Sequence, residues 1–331
     1  MRKGAKYFIA FCGISLLIFY LTSCSRETFI SESNSDTPPA PPEGLRVFAA
    51  HDGAVGIEWN GSQVNSILRY NIFRSKFPNY NFKKVGFTNE THYIDSPLSY
   101  DTTYYYYITA TGTNNYESNN SITVNAKPVN AYPPKNIYDI SVYGKNTGSS
   151  KFIKLYWTPQ EEYDLKEYRI YRSLFPDFSI SPDKLIGTTG FPFFDDYGVS
   201  LLQTYYYKII AVDKGNLESD YSPVVSDLVL ESPILIYPAD NSAVKNLNKL
   251  QFQSSYPAGI YKIIIQSNEL YGTIAEYNLT SSEINRPITQ IIDPAILTSF
   301  KKYYWRVISY TQSFSEPNSY SPLFSFTYIA E

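Results

Sequence analysis

One strand-like segment occurs three times, about 100 residues apart, and constrains the fold more than any other feature of the chain. Each copy begins with a tyrosine and alternates aromatic or branched residues: residues 104–110, 205–211 and 303–309. An aliphatic residue stands six positions before each leading tyrosine. Alternation with period two is typical of a half-buried strand, and the repeat is too long for a solenoid unit. The sequence therefore predicts three similar β-domains in tandem.

The first two copies share further strands upstream of that segment. Residues 54–59 and 152–157 alternate apolar positions and end at Trp59 and Trp157. A Tyr-x-Ile strand begins eleven residues after each tryptophan. The third copy has Phe252 in place of the tryptophan and a longer stretch before its leading tyrosine. We therefore expect two closely similar domains followed by a divergent one.

The order of these segments is similar to the fibronectin type III domain. That resemblance implies a seven-strand sandwich of two antiparallel sheets with no disulfide. It matches Trp59 and Trp157 to the core tryptophan of the family. It matches Tyr104, Tyr205 and Tyr303 to the tyrosine whose hydroxyl bonds to backbone across a corner between strands. The predicted fold class is all-β, with tandem antiparallel β-sandwiches of the fibronectin type III or immunoglobulin-like kind.

The predicted domain boundaries follow the proline-rich joins between the copies. Two fibronectin type III-like domains cover residues 38–130 and 131–231, and a divergent domain covers residues 232–331. The third domain fits a related immunoglobulin-like sandwich equally well. Because all connections between the domains are short, we expect the three to form a rod.

The N-terminus has the features of a bacterial lipoprotein. Three basic residues precede about fifteen apolar ones, as in a secretory signal, although the same run also fits a permanent anchor helix. The sequence Leu-Thr-Ser-Cys that ends at Cys24 resembles the lipobox of bacterial lipoproteins. In that family the cysteine is acylated and the chain is cut before it. We therefore predict a signal peptide at residues 1–23 and membrane attachment through lipid on Cys24.

Cleavage at that point would change both the charge and the cysteine content. The mature chain keeps 25 basic and 31 acidic residues, a net charge of −6, and it loses Cys12. Cys24 then carries the lipid, so the exported part can form no disulfide. Residues 24–37 read as a flexible tether. The serine after Cys24 favours the outer membrane of a double-membrane bacterium, with the periplasmic or surface face left open.

The residue inventory argues against an enzyme. The chain has two histidines, and His51 and His92 both read as solvated residues near strand ends. The adjacent acidic pairs 161–162 and 195–196 alternate direction on a strand or lie in a loop, so neither pair can act as acid and base on one bond. Nothing in the sequence predicts a metal site, a cofactor or a catalytic residue. Without a concentrated basic surface, nucleic acid is not expected as a partner.

The 33 tyrosines and 20 phenylalanines are the better candidates for function. Strand parity points five aromatic side chains away from the predicted cores: Phe73, Tyr105, Tyr107, Tyr171 and Tyr206. They form either cross-strand pairs that stabilise the sheets or an exposed patch that stacks on sugar rings or receives a protein.

Two functions fit the sequence. The first is a non-catalytic envelope lipoprotein whose domains bind a protein or glycan partner. The second is a passive structural spacer of the cell envelope. Since the fold hosts many unrelated functions, it does not decide between them. With a net charge of only −6, we expect any binding to depend weakly on ionic strength.

Overall fold

The computed structural model describes residues 37–61, 67–256, 259–314 and 316–330. The predicted signal peptide, the lipidation site Cys24 and nearly all of the predicted tether lie outside the described residues. Within the described residues, no helix is both long enough and apolar enough to cross a membrane.

Seven strands build a first sandwich from two antiparallel sheets, with orders β1-β2-β5 and β4-β3-β6-β7. Burial alternates over the first half of β6, where Tyr104, Tyr106 and Ile108 are buried and the residues between them are half-buried, as a strand with one face on a core requires. The strands are β1 (Arg46–His51), β2 (Ala54–Glu58), β3 (Ile67–Ser75), β4 (Lys83–Thr88), β5 (His92–Asp95), β6 (Tyr104–Gly112) and β7 (Val124–Ala126).

The second sandwich repeats this arrangement strand for strand. Its sheets have the orders β12-β9-β8 and β11-β10-β13-β14. The strands are β8 (Ile140–Asn146), β9 (Lys151–Trp157), β10 (Leu165–Ser173), β11 (Leu185–Thr189), β12 (Phe193–Asp196), β13 (Tyr205–Asp213) and β14 (Val225–Asp227).

The third sandwich differs at its edges. It has one sheet of order β15-β17-β20, and a second in which β21 pairs with β18, β22 and β23, while β16 runs parallel to β23. The strands are β15 (Ile234–Tyr237), β16 (Ser242–Lys245), β17 (Lys249–Gln253), β18 (Gly259–Gln266), β19 (Thr273–Ser281), β20 (Ile288–Ile291), β21 (Lys302–Tyr310), β22 (Ser319–Tyr320) and β23 (Phe324–Ile329). The predicted fold class, all-β tandem antiparallel sandwiches, is confirmed.

Each sandwich has its own core, and each core contains one tryptophan. Trp59 and Trp157 pack edge-to-face on Tyr70 and Tyr168 in the first two cores. In the third core the equivalent strand supplies Phe252, and its tryptophan comes from β21 instead. The third core therefore has a tryptophan like the other two, but on a different strand, and a phenylalanine stands where the other two have their tryptophan.

A corner bond built on the leading tyrosine recurs in all three sandwiches. The tyrosine is buried, and its hydroxyl accepts a hydrogen bond from the backbone N–H five residues earlier. The pairs are Ser99 with Tyr104 at 3.1 Å, Ser200 with Tyr205 at 3.1 Å and Thr298 with Tyr303 at 2.7 Å. The bond fixes the chain as it crosses from one sheet to the other.

The second and third sandwiches share one sheet. A parallel bridge between Asn146 on β8 and Ser319 on β22 joins a sheet of each sandwich into one nine-stranded sheet. The amide of Asn318 is buried at this junction, donates to the Leu228 carbonyl and accepts from the Leu230 N–H, both at 2.8 Å. The Leu228 carbonyl and the Asn318 amide leave no room for a side chain at Gly144 on β8, where a Cβ would lie 1.9 Å from the first and 2.6 Å from the second. The junction therefore depends on particular residues, the amide of Asn318 and the glycine at position 144.

Candidate functional site

The predicted aromatic residues of the first sandwich form a cross-strand cluster. Phe73 on β3 lies directly opposite Tyr107 on β6, and their rings stack with centroids 4.8 Å apart. Phe82 lies 4.7 Å from the Tyr107 ring, and Tyr105 is half-buried beside this group. Burial, followed by the charge of Glu117, raises the pKa of Tyr107. These side chains pack mainly on one another, as in cross-strand stabilisation of a sheet.

The equivalent face of the second sandwich is covered, which corrects the prediction that Tyr171 is exposed. Tyr171 is 7% exposed and packs with Phe178 in a small cluster outside the main core. The connection between β10 and β11 folds back over the sheet, where the Lys208 amine donates to the Phe178 carbonyl at 2.7 Å. Tyr206 is half-buried against the same cluster. Neither residue presents an open ring to solvent.

A different surface of the second sandwich carries a larger set of outward-facing aromatic residues, of which two are exposed and three half-buried. We define the aromatic face as the outward side of the sheet β8-β9-β12, with Tyr143, Phe152, Tyr156, Phe193 and Tyr197. Tyr156 and Phe193 are cross-strand partners, and the rings of Tyr143 and Tyr156 are 5.8 Å apart. Phe152 lies 5.1 Å from Tyr197. Since Phe193 is 48% and Tyr197 62% exposed, the face is accessible to a ligand.

The corresponding sheet in the other two sandwiches has no such set of rings. In the first, an ion pair between Arg46 and Glu58 at 3.0 Å and the ring of Phe48 over Gly56 occupy that side. In the third, the cross-strand partners there include Gln251, whose amide donates to Thr289 at 3.0 Å. The aromatic face is therefore specific to the second sandwich.

Sequence reasoning missed the aromatic face although the signal was present. In residues 151–157 the inward positions end at Trp157, so the same alternation points Phe152 and Tyr156 outward. Assembly of the face also requires strand β12, which follows β9 by nearly 40 residues. Only the register of the sheet brings Phe193 beside Tyr156.

The adjacent carboxylates Asp195 and Asp196 face opposite sides of their strand. Asp196 points inward and accepts from the Arg172 guanidinium at 2.8 Å and the Tyr207 hydroxyl at 2.9 Å. Asp195 points outward among the aromatic rings, opposite Lys154 on β9, and its Oδ1 has no hydrogen-bond partner among the described residues. The aromatic face therefore combines apolar rings with the carboxylate of Asp195 and the exposed amine of Lys154.

His51 and the acidic pair 161–162 meet at the junction between the first two sandwiches. They line a cleft of about 470 Å³ together with Phe48 and Asp52. Asp52 accepts from His51 at 2.9 Å and from two backbone N–H groups of the linker, which lower its pKa against the opposing effect of burial. His92 is exposed at the end of β5. No group of three or more potential metal-ligating side chains of the histidine, cysteine and acidic types occurs among the described residues.

Comparison with known proteins gives no family assignment. No protein-family model matches the sequence, and a search of curated proteins finds no match. Among solved structures, the chain is similar to the FN1–FN3 domains of chicken CNTN1, with 16% identity over 88% of this chain and 99% of that chain and a TM-score of 0.35. It is also similar to an Fn3-like protein from Clostridium thermocellum, with 23% identity over 29% of this chain and 99% of that chain and a TM-score of 0.25. At these scores the likenesses add nothing to the architecture described above.

Proposed function

We propose that this chain is a membrane-anchored, non-catalytic envelope lipoprotein whose sandwich domains bind a protein or glycan partner. The observation that carries the proposal is the aromatic face of the second sandwich. An exposed set of rings on a rigid sheet has a large apolar area available for contact and needs little ordering on binding. The lipobox-like sequence ending at Cys24 supports the anchor, which would attach the first sandwich to the membrane through the tether.

The binding role is tested by crosslinked pull-down of the full, acylated protein from its own cells, with bound protein and glycan identified together. We expect Tyr156→Ser combined with Phe193→Ser to lose a specific partner without a large change in melting temperature. Phe87→Ser is the control, because this ring is 64% exposed on the first sandwich and lies outside the aromatic face. A partner retained by the double variant would refute the role of the face.

The anchor is tested separately. Metabolic labelling with an alkyne fatty acid should label the wild-type protein in the membrane fraction, and Cys24→Ala should lose both the label and the attachment. A labelled Cys24→Ala protein would refute acylation at this residue and leave the binding role untouched.

A passive spacer is the second candidate, and the junction between the second and third sandwiches favours it. Lys145 bonds across that junction to Glu316 at 2.5 Å and to the Pro317 carbonyl at 2.9 Å, beside the buried Asn318. A junction held by such hydrogen bonds suits a spacer, which must keep its two ends at a fixed separation. A pull-down with no specific partner, at a crosslinker density that captures known neighbours, would favour the spacer.

A further inference from the structure

A second cavity lies where the second and third sandwiches meet. It has a volume of about 510 Å³ and is lined by parts of both, including Thr147, Ser232, Arg306, Tyr320 and Leu323. This volume is in the range of small-molecule sites. The hydrogen bonds of the junction hold its walls in place, so the cavity exists before any ligand binds.

Arg306 is the charged group of this cavity, where its charge acts on the neighbouring Tyr320. Its Nε is buried without a hydrogen bond, and its guanidinium forms no ion pair with any described residue. Two nearby carboxylates pair with lysines instead: Glu276 on β19 with Lys262 at 3.4 Å, and Glu316, in the connection between β21 and β22, with Lys145 at 2.5 Å. A buried donor without a partner is costly, and a planar guanidinium matches an oxyanion with two parallel hydrogen bonds.

The other lining groups restrict which anion would fit. Ser232 and Tyr320 also line the cavity, and each carries a hydroxyl that can bond to a ligand; Tyr320 is 39% exposed. Pro322 and Leu323 add an apolar wall. A bare inorganic anion could bond to Arg306 and to these hydroxyls, but it would leave the apolar wall without a contact. A ligand with one carboxylate, several hydroxyls and an apolar ring face would use all of them.

We infer that this cavity binds an acidic sugar of the hexuronate class. The carboxylate accepts from Arg306, the ring hydroxyls bond to Ser232 and Tyr320, and the ring packs on Leu323. The inference deepens the proposed function, since it rests on a glycan being the partner of the chain. It places a second contact with that glycan at the junction, separate from the aromatic face.

The test measures binding of three probes to the full chain by calorimetry and ligand-observed NMR. The probes are glucuronate, glucose and inorganic phosphate. We expect glucuronate to bind about tenfold or more tightly than glucose, because glucose lacks the group that pairs with the guanidinium. Glucose binding as tightly as glucuronate would overturn the role of Arg306. Phosphate binding as tightly as glucuronate would show a general oxyanion site and overturn the sugar assignment, and absence of glucuronate binding would overturn both.

Variants locate the site. Arg306→Gln should weaken glucuronate binding about tenfold or more, since a charge-assisted bidentate contact is lost. Arg286→Gln is the matched control, because that side chain is 79% exposed in the same sandwich and faces Glu283 at 3.9 Å. If Arg306→Gln does not fold, Tyr320→Phe removes only a hydroxyl and should still weaken binding. Unchanged binding in a folded Arg306→Gln or Tyr320→Phe variant would contradict the inference.

The results also separate this inference from the proposed function. If the aromatic-face variant loses a partner but the protein binds no glucuronate, the inference about the cavity is overturned and the proposed function stands. Glucuronate bound through Arg306, in a protein that captures no glycan or protein in cells, would overturn the proposed function alone.

Discussion

The Asp196 carboxylate allows a direct measurement of what one buried charge contributes to the second sandwich. It accepts from Arg172 through both oxygens at 2.9 and 2.8 Å, from the Tyr207 hydroxyl at 2.9 Å and from the Gly198 N–H at 2.9 Å. Burial, and then the Asp196 charge, raise the pKa of Tyr207, so its hydroxyl stays protonated and keeps donating. Asp196→Ala would leave the buried Tyr207 hydroxyl without its acceptor and the Arg172 guanidinium without its counter-ion, with only the Gly198 carbonyl at 2.8 Å still accepting from it.

The expected cost follows from that loss. Removing one partner of a buried, hydrogen-bonded charge pair costs about 3–5 kcal/mol. A domain of this size has only about 5–15 kcal/mol of stability in total. Because 1 kcal/mol moves the melting temperature of a domain near 100 residues by about 4–8 °C, we expect a drop of roughly 20 °C for the second sandwich.

The assay uses the single tryptophan of each core. In a background carrying Trp59→Phe and Trp305→Phe, fluorescence during guanidinium chloride unfolding reports on Trp157 and therefore on the second sandwich. Asp196→Ala should lower the unfolding midpoint with little change in the slope. Asp195→Ala is the matched control, since this neighbouring carboxylate has no ion pair among the described residues, and we expect a change within about 0.5 kcal/mol. Equal effects of the two substitutions would refute the reasoning.

Three further predictions test the corner, the junction and the covered face. Tyr205→Phe removes only the acceptor of the Ser200 N–H and should cost about 1 kcal/mol in the same assay, with Tyr206→Phe as control. Burial raises the pKa of Asp227 above its ordinary value of 3.8, so the carboxyl stays protonated to higher pH in the folded state than in the unfolded one. The free energy of unfolding should therefore fall as the pH rises above 3.8. Melting curves of Asp227→Asn should show a smaller fall over the same pH range. Tyr171→Ala should lower unfolding free energy by about 3 kcal/mol, because the ring is buried; a change below 0.5 kcal/mol, roughly the surface value, would contradict its burial.

Strand alternation predicted the strands and their inward faces, because the pleat of a strand decides which side chains can share a core. The sandwich arrangement came from the resemblance of the segment order to the fibronectin type III domain. The leading tyrosines and Trp59 and Trp157 all point inward for this reason. The same rule failed to predict the environment of Tyr171. Parity gives the side of the sheet on which a residue lies, but it does not show whether a connection returns to cover that side. Phe178 covers Tyr171 through such a connection.

The two candidate binding surfaces depend on contacts that are distant in sequence. The aromatic face needs the pairing of β9 with β12, and the cavity around Arg306 needs two sandwiches held at one angle. Neither the strand pairing nor the arrangement of the sandwiches can be predicted from the local sequence pattern. Arg306 in particular reads as an ordinary outward residue of a strand, since its isolation results from lysines on other strands that pair with the surrounding carboxylates.

The bridge between β8 and β22 has a mechanical consequence for a chain pulled from its two ends. Load reaching the second sandwich passes into the third through backbone hydrogen bonds, including the one from the Asn146 N–H to the Asn318 carbonyl at 2.7 Å, as well as through the linker. Two sandwiches joined in this way should yield together under force. In single-molecule extension the rupture would then release close to 200 residues, about 700 Å of chain, as one step, and the first sandwich would release about half that length separately.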